Sequence, residues 1–71
     1  MSEEYDLHKL KAMNNGDDIT VNWFGESGAH VFMVNWHFIV FYVPQCGEPR
    51  FEAAFIDTAP EKVLKLAYSW T

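Results

Sequence analysis

The sequence predicts an α+β fold: an N-terminal helix, a four-stranded antiparallel meander and a C-terminal helix packed on one sheet face, in a single small domain spanning residues 1–71. Three observations carry that expectation. Period-two alternation of β-branched and aromatic residues fills the middle of the chain, turn residues interrupt it at short intervals, and a strong helix-start signal stands near the C-terminus. Apolar residues make up 49% of the chain against 21% charged, a balance that builds a core rather than a disordered tail.

Residues 3–13 are good helix formers, with Glu3, Glu4 and Asp6 leading and Lys9 and Lys11 trailing, the order that suits the helix dipole. Ser2 is the expected N-cap, and Leu7, Leu10 and Met13 form a narrow apolar stripe. Asn14-Asn15-Gly16-Asp17-Asp18 stops the helix, Gly16 being suited to a left-handed position. In the next segment Ile19, Val21 and Trp23 alternate with Thr20, Asn22 and Phe24, the pattern of a half-buried strand. Gly25 to Gly28 is turn chemistry.

The aromatic block from His30 to Val43 is too long for one ordinary strand. Its polar interruption, Asn35-Trp36-His37, predicts a hairpin turning at Asn35-Trp36. A two-residue type I′ turn favours glycine where Trp36 stands, so the loop is either wider or Trp36 is held by contacts elsewhere. Pro44 to Pro49 is a second connection, since proline cannot donate to a ladder, and Phe51 to Ile56 is the expected fourth strand. Thr58 as N-cap, Pro60 in the first turn and Glu61 as capping-box partner open the last helix. Val63, Leu66, Ala67 and Trp70 recur along it at helical spacing.

A turn at Asn35-Trp36 pairs Val34 with His37, Phe32 with Ile39 and His30 with Phe41. Pairing Val43 with Arg50 then completes two faces. The first carries Val31, Met33, Phe38, Val40, Tyr42, Phe51, Ala53 and Phe55 and is the expected core. The second carries His30, Phe32, Val34, His37, Ile39, Phe41 and Val43, joined by Arg50, Glu52, Ala54 and Ile56, and is too apolar for an ordinary wet face. It lies under the N-terminal helix, in a dimer interface or against a partner.

Charge and motif content narrow the function classes. Ten acidic against five basic residues give a net charge of −5, which disfavours phosphate backbones and anionic lipid. The apolar run from Val31 to Val43 is about 13 residues where a bilayer needs about 20, so no membrane association is expected. The N-terminal residues lack the basic and apolar regions of a secretory signal, and the one cysteine, Cys46, suits a reducing cytoplasm. His30, His37 and Cys46 match no metal-binding spacing, and the register sets the two histidines about 13 Å apart along the strands. No phosphate loop, nucleophile elbow or metal-binding helix motif occurs, and no cofactor is expected.

The resulting expectation is a non-catalytic protein-interaction module, compatible with a phage or mobile-element accessory protein that binds and regulates a host factor. Its partners are a second copy of itself and an unidentified protein, met through Phe32, Val34, Trp36, Ile39, Phe41 and Arg50. Two alternatives come from the same residues. Glu3, Glu4, Asp6, Asp17, Asp18 and Glu26 form an acidic surface able to mimic nucleic acid and inhibit an enzyme that binds it, and a dimer would enclose a small-ligand pocket around Trp36 and Phe41. An enzyme using Cys46 is the remaining rival, without an evident base or orienting acid in sequence.

Overall fold

Acids before bases along the first helical segment, and the Asn-Asn-Gly run behind it, set the limits of α1 (Glu3–Lys11). The computed structural model describes residues 3–45, 50–52 and 59–69. Three full-length antiparallel strands follow α1 in sequence order: β1 (Asp18–Phe24), β2 (Ser27–Val34) and β3 (His37–Val43). Beyond β3 the described ladder continues in the three residues of β4 (Arg50–Glu52), and the last described element is α2 (Pro60–Ser69). Of the fourth strand expected from Phe51 to Ile56, the described part is paired with β3 and begins one residue earlier, at Arg50. Ser2, Cys46, Ala53 to Ile56, Thr58 and Trp70 lie outside the described residues.

The β2–β3 register is the expected one in every pair: Val34 with His37, Phe32 with Ile39 and His30 with Phe41. The β3–β4 register is not. Arg50 pairs with Tyr42 instead of Val43, and Phe51 pairs with Phe41. A slip of one residue exchanges the faces, so the register positions of Arg50 and Glu52 belong with Tyr42 and Val40, and that of Phe51 with Phe41. Tight turns fix register; the connection after Val43 is long and holds two prolines, so nothing local in the sequence sets it.

Both helices pack on the same sheet face. Leu10 and Met13 from the N-terminal side and Val63 and Ala67 of α2 meet Val21, Ala29, Val31, Met33, Phe38 and Val40 in one buried cluster, with Ile19, Leu64, Leu66 and Tyr68 at its border. Val63 and Ala67 are the buried members of the stripe expected on α2, while Glu61, Lys62 and Lys65 stay exposed. Leu7 of the expected α1 stripe is only half buried. α1 therefore does not cover the second face; it sits beside α2 and along the outer edge of β1.

Asp6 explains that position. Expected on an acidic surface, it is wholly buried, with 0% exposure. Its Oδ2 accepts hydrogen bonds from the backbone N–H of Asn22 at 2.9 Å and from the Tyr68 hydroxyl at 2.7 Å, and Lys9 Nζ lies 3.5 Å from its Oδ1. Lys9 also donates to the Thr20 carbonyl at 2.6 Å. One turn of helix thereby satisfies a donor and an acceptor on the free edge of β1 and reaches across to α2. Helical periodicity could not reveal this, since an acid in the first turn of a helix is ordinarily wet.

Replacing Asp6 with alanine strands the Asn22 N–H and the Tyr68 hydroxyl, and the expected loss is about 3 kcal/mol, read from denaturant unfolding. Burial, the hydrogen bond to Asp6 and the negative charges of Asp6 and Glu3 hold the Tyr68 hydroxyl proton well above the ordinary tyrosine range. The folded state thus favours neutral Tyr68. Its contribution is complete below the unfolded tyrosine value of about 10 and is lost as pH rises through the higher folded value. Unfolding midpoints measured upward from pH 9 should fall more steeply for the wild type than for Tyr68→Phe, which starts about 1 kcal/mol lower at neutral pH.

Candidate functional site

Alternation along β2 and β3 sends every second residue away from the helices, and those residues assemble the other face in rows. Val34 and His37 lie nearest the β2–β3 turn, Asp18, Phe32 and Ile39 form the next row, and Thr20, His30 and Phe41 the one after, with Phe51 in register. Gly28 and Val43 close the far end. His30, Phe32, Ile39, Phe41 and Val43 are half buried, on the side of the sheet away from both helices.

His30 is the centre of an aromatic cluster. Its ring stacks with Phe32 at 5.9 Å and Phe41 at 5.5 Å between centroids, and Trp23 meets it edge-on at 5.2 Å. Phe32 and Phe41 lie 5.9 Å apart and within 5° of parallel. Contacts of this kind contribute about 0.5–1.5 kcal/mol each beyond area burial, so the cluster is ordered before anything binds to it. His30 Nδ1 is buried and has no hydrogen-bond partner among the described residues.

Strand alternation alone groups Trp23 with Ile19 and Val21. A bulge overturns it. Pairing is regular to Val21 with Ala29 and then shifts before Phe24 with Ser27, and Asn22 takes a φ of 52°. The inserted residue turns Trp23 to the open face, where its ring meets His30 and its indole N–H donates to the Gly25 carbonyl at 2.9 Å. Gly28 makes room: a Cβ there would stand 2.7 Å from the Trp23 Cα, which no backbone adjustment of ordinary size relieves. The place of Trp23 beside Phe32 and Phe41 depends on this bulge, for which asparagine's tolerance of positive φ, three residues before Gly25, is the signal in the sequence.

At the other end, the β2–β3 turn has the two-residue form. Asn35 and Trp36 both have positive φ, 50° and 61°, as a type I′ turn demands. For a bulky residue this is strained backbone, and support comes from a distance: Asn15 Oδ1 accepts the Trp36 N–H at 2.7 Å. The loop carrying Asn15 is itself fastened, since Gly16 N–H donates to the Met33 carbonyl and Met33 N–H to the Asp17 carbonyl. Trp36 is 55% exposed and Val34 47% exposed, so the tip is a held, apolar prominence.

Phe32, Val34, Ile39 and Phe41 therefore share one face as expected, with Trp36 at its end, while the register of Arg50 belongs to the opposite face. The acids do not form one surface. Glu3, Glu4, Asp17, Asp18 and Glu26 are exposed, but Asp17 and Asp18 lie at the Trp36 end and Glu26 in the turn at the opposite end, and Asp6 is buried. Among the described residues no three His, Cys, Asp or Glu side chains are grouped for a metal ion. An open cavity of about 560 Å³, lined by Glu3, Glu61, Leu64, Lys65, Tyr68 and Ser69, lies on the helix side and not at Trp36 and Phe41.

Trp36→Gly should raise stability by about 1 kcal/mol, because glycine relieves the positive φ and completes the preferred Asn-Gly turn. Asn15→Ala should lower it by about 1 kcal/mol through the lost support of that backbone. Thermal melts of the two single variants check both signs.

Comparison of the chain with protein-family models, with curated proteins and with solved structures finds no match.

Proposed function

We propose that the chain is a non-catalytic protein-interaction module that binds through the open sheet face. One observation carries this: both helices cover the same side of the sheet, leaving Trp23, His30, Phe32, Ile39 and Phe41 half exposed on the other. A monomer whose core is complete on one side does not need four aromatic rings on the other, and contiguous apolar surface of that kind marks a contact site. Val34 and Trp36 extend it at the tip, and tryptophan in a rigid setting is the residue type that most often anchors a protein interface.

Chemistry on the face supports protein over nucleic acid. Ring stacking alone suits a single strand, but such platforms are bordered by cations, and no lysine or arginine side chain is described on this face. Mimicry of nucleic acid by the acids is weakened by their division between two ends and by the burial of Asp6. A reducing cytoplasm fits the one cysteine, and no helix among the described residues is long and apolar enough to cross a membrane. Regulation of a host factor by a phage or mobile-element accessory protein remains the biological setting we favour.

A photo-crosslinking amino acid at position 32, compared in living cells with the same group at exposed Lys62, tests the reading. Position 32 should give discrete protein adducts that position 62 does not. Equal labelling from both positions, or a Phe32→Glu chain that no longer folds by circular dichroism, would mean that the face is not a binding surface.

A further inference from the structure

Resting on that reading, we propose that the occupant of the open face is a second copy of this chain, the two sheets stacked face to face about a two-fold axis. Charge is the first argument. Ten acids and five bases are distributed over the chain, yet among the described side chains of this face Asp18, at its margin, is the sole formally charged one. A basic partner would find no carboxylate at the centre and an acidic one no cation. An identical neutral face needs neither.

Symmetry is the second argument. A two-fold axis lying between the sheets along β2 sets His30 and Phe32 against their own copies, and one running across the strands at the His30–Phe41 row sets those two against theirs. Asp18 sits at a corner of the face, and under either axis that corner meets a different corner of the partner copy, so the two aspartates are not apposed. Sheets that stack in this way are about 10 Å apart, a gap that protruding Phe, Trp and His rings fill.

Area is the third. Aromatic side chains bury about 150–250 Å² each when fully covered, and the half-exposed residues of this face with Val34 and Trp36 leave on the order of 500 Å² per copy. Two copies then bury about 1,000 Å², the lower bound for a specific interface. The dimer is correspondingly weak, with dissociation in the micromolar range. For a chain near the lower size limit for independent folding, association of this kind is a usual source of added stability.

Sedimentation equilibrium of the full chain from about 1 µM to 1 mM tests the inference. The wild type should pass from monomer to dimer across that range, and Phe41→Glu should remain monomeric with an unchanged far-ultraviolet spectrum. Because both copies are acidic, raising sodium chloride from about 20 to 500 mM should tighten the dimer severalfold by screening their repulsion. A dimer that instead loosens in salt is joined by ion pairs elsewhere, which overturns the proposal.

Should Phe41→Glu unfold, Ile39→Asp takes its place, and unfolding of both makes the face part of the monomer's core and overturns the proposal. A wild type that stays monomeric throughout overturns it too, while crosslinking from position 32 decides separately whether the face binds a foreign protein. A dimer untouched by either substitution overturns the self-interface.

Discussion

The buried carboxylate of Asp6 is the constraint on which the rest of the structure depends. Three elements converge on it: α1 supplies it, β1 gives it the Asn22 N–H, and α2 gives it the Tyr68 hydroxyl. A carboxylate removed from water is tolerated only when it is paired and hydrogen-bonded, so its position commits α1 to the edge of β1 and to the flank of α2. The surface ion pair between Lys11 and Glu61, at 3.7 Å and exposed on both sides, adds little to that. With both helices fixed on one side, the other side of the sheet has no covering element among the described residues.

The same carboxylate is joined to the aromatic face through the bulge. Asn22 gives its N–H to Asp6, and its departure from strand geometry turns its neighbour Trp23 over His30. Straightening the strand would return Trp23 to a core already occupied by Val21, Ala29 and Val31. Gly28 is the permissive partner of this arrangement, since any side chain there collides with Trp23. Asn22 thus joins the contact that places α1 to the irregularity that places Trp23.

Features governed by short-range rules were legible in the sequence. The Asn35-Trp36 turn fixed the β2–β3 register, and that register placed Phe32, Val34, Ile39 and Phe41 together. What escaped the sequence depends on contacts between distant residues. Asp6 reads as a solvated first-turn acid until Asn22 and Tyr68, 16 and 62 positions away, are brought to it. Trp36 is a poor turn residue until Asn15 is placed beside it. The slip that moved Arg50 to the other register has no tight turn to announce it, and Trp23 changed face because a single extra residue reverses strand parity.

Edges and faces offer a small sheet two ways to associate, and this chain treats them differently. A free strand edge presents unpaired backbone groups to any other strand, which invites unlimited growth. On β1 the outward Thr20 carbonyl and Asn22 N–H are both occupied by side chains of α1, Lys9 and Asp6. That occupies two of the groups with which another strand would pair. The apolar face carries no such block, yet it is bounded by the bulge at one end and the Trp36 turn at the other. Contact through a bounded face closes after one partner is seated, whereas contact through an edge need not. Capping the edge while leaving the rings partly open therefore directs association towards a finite complex.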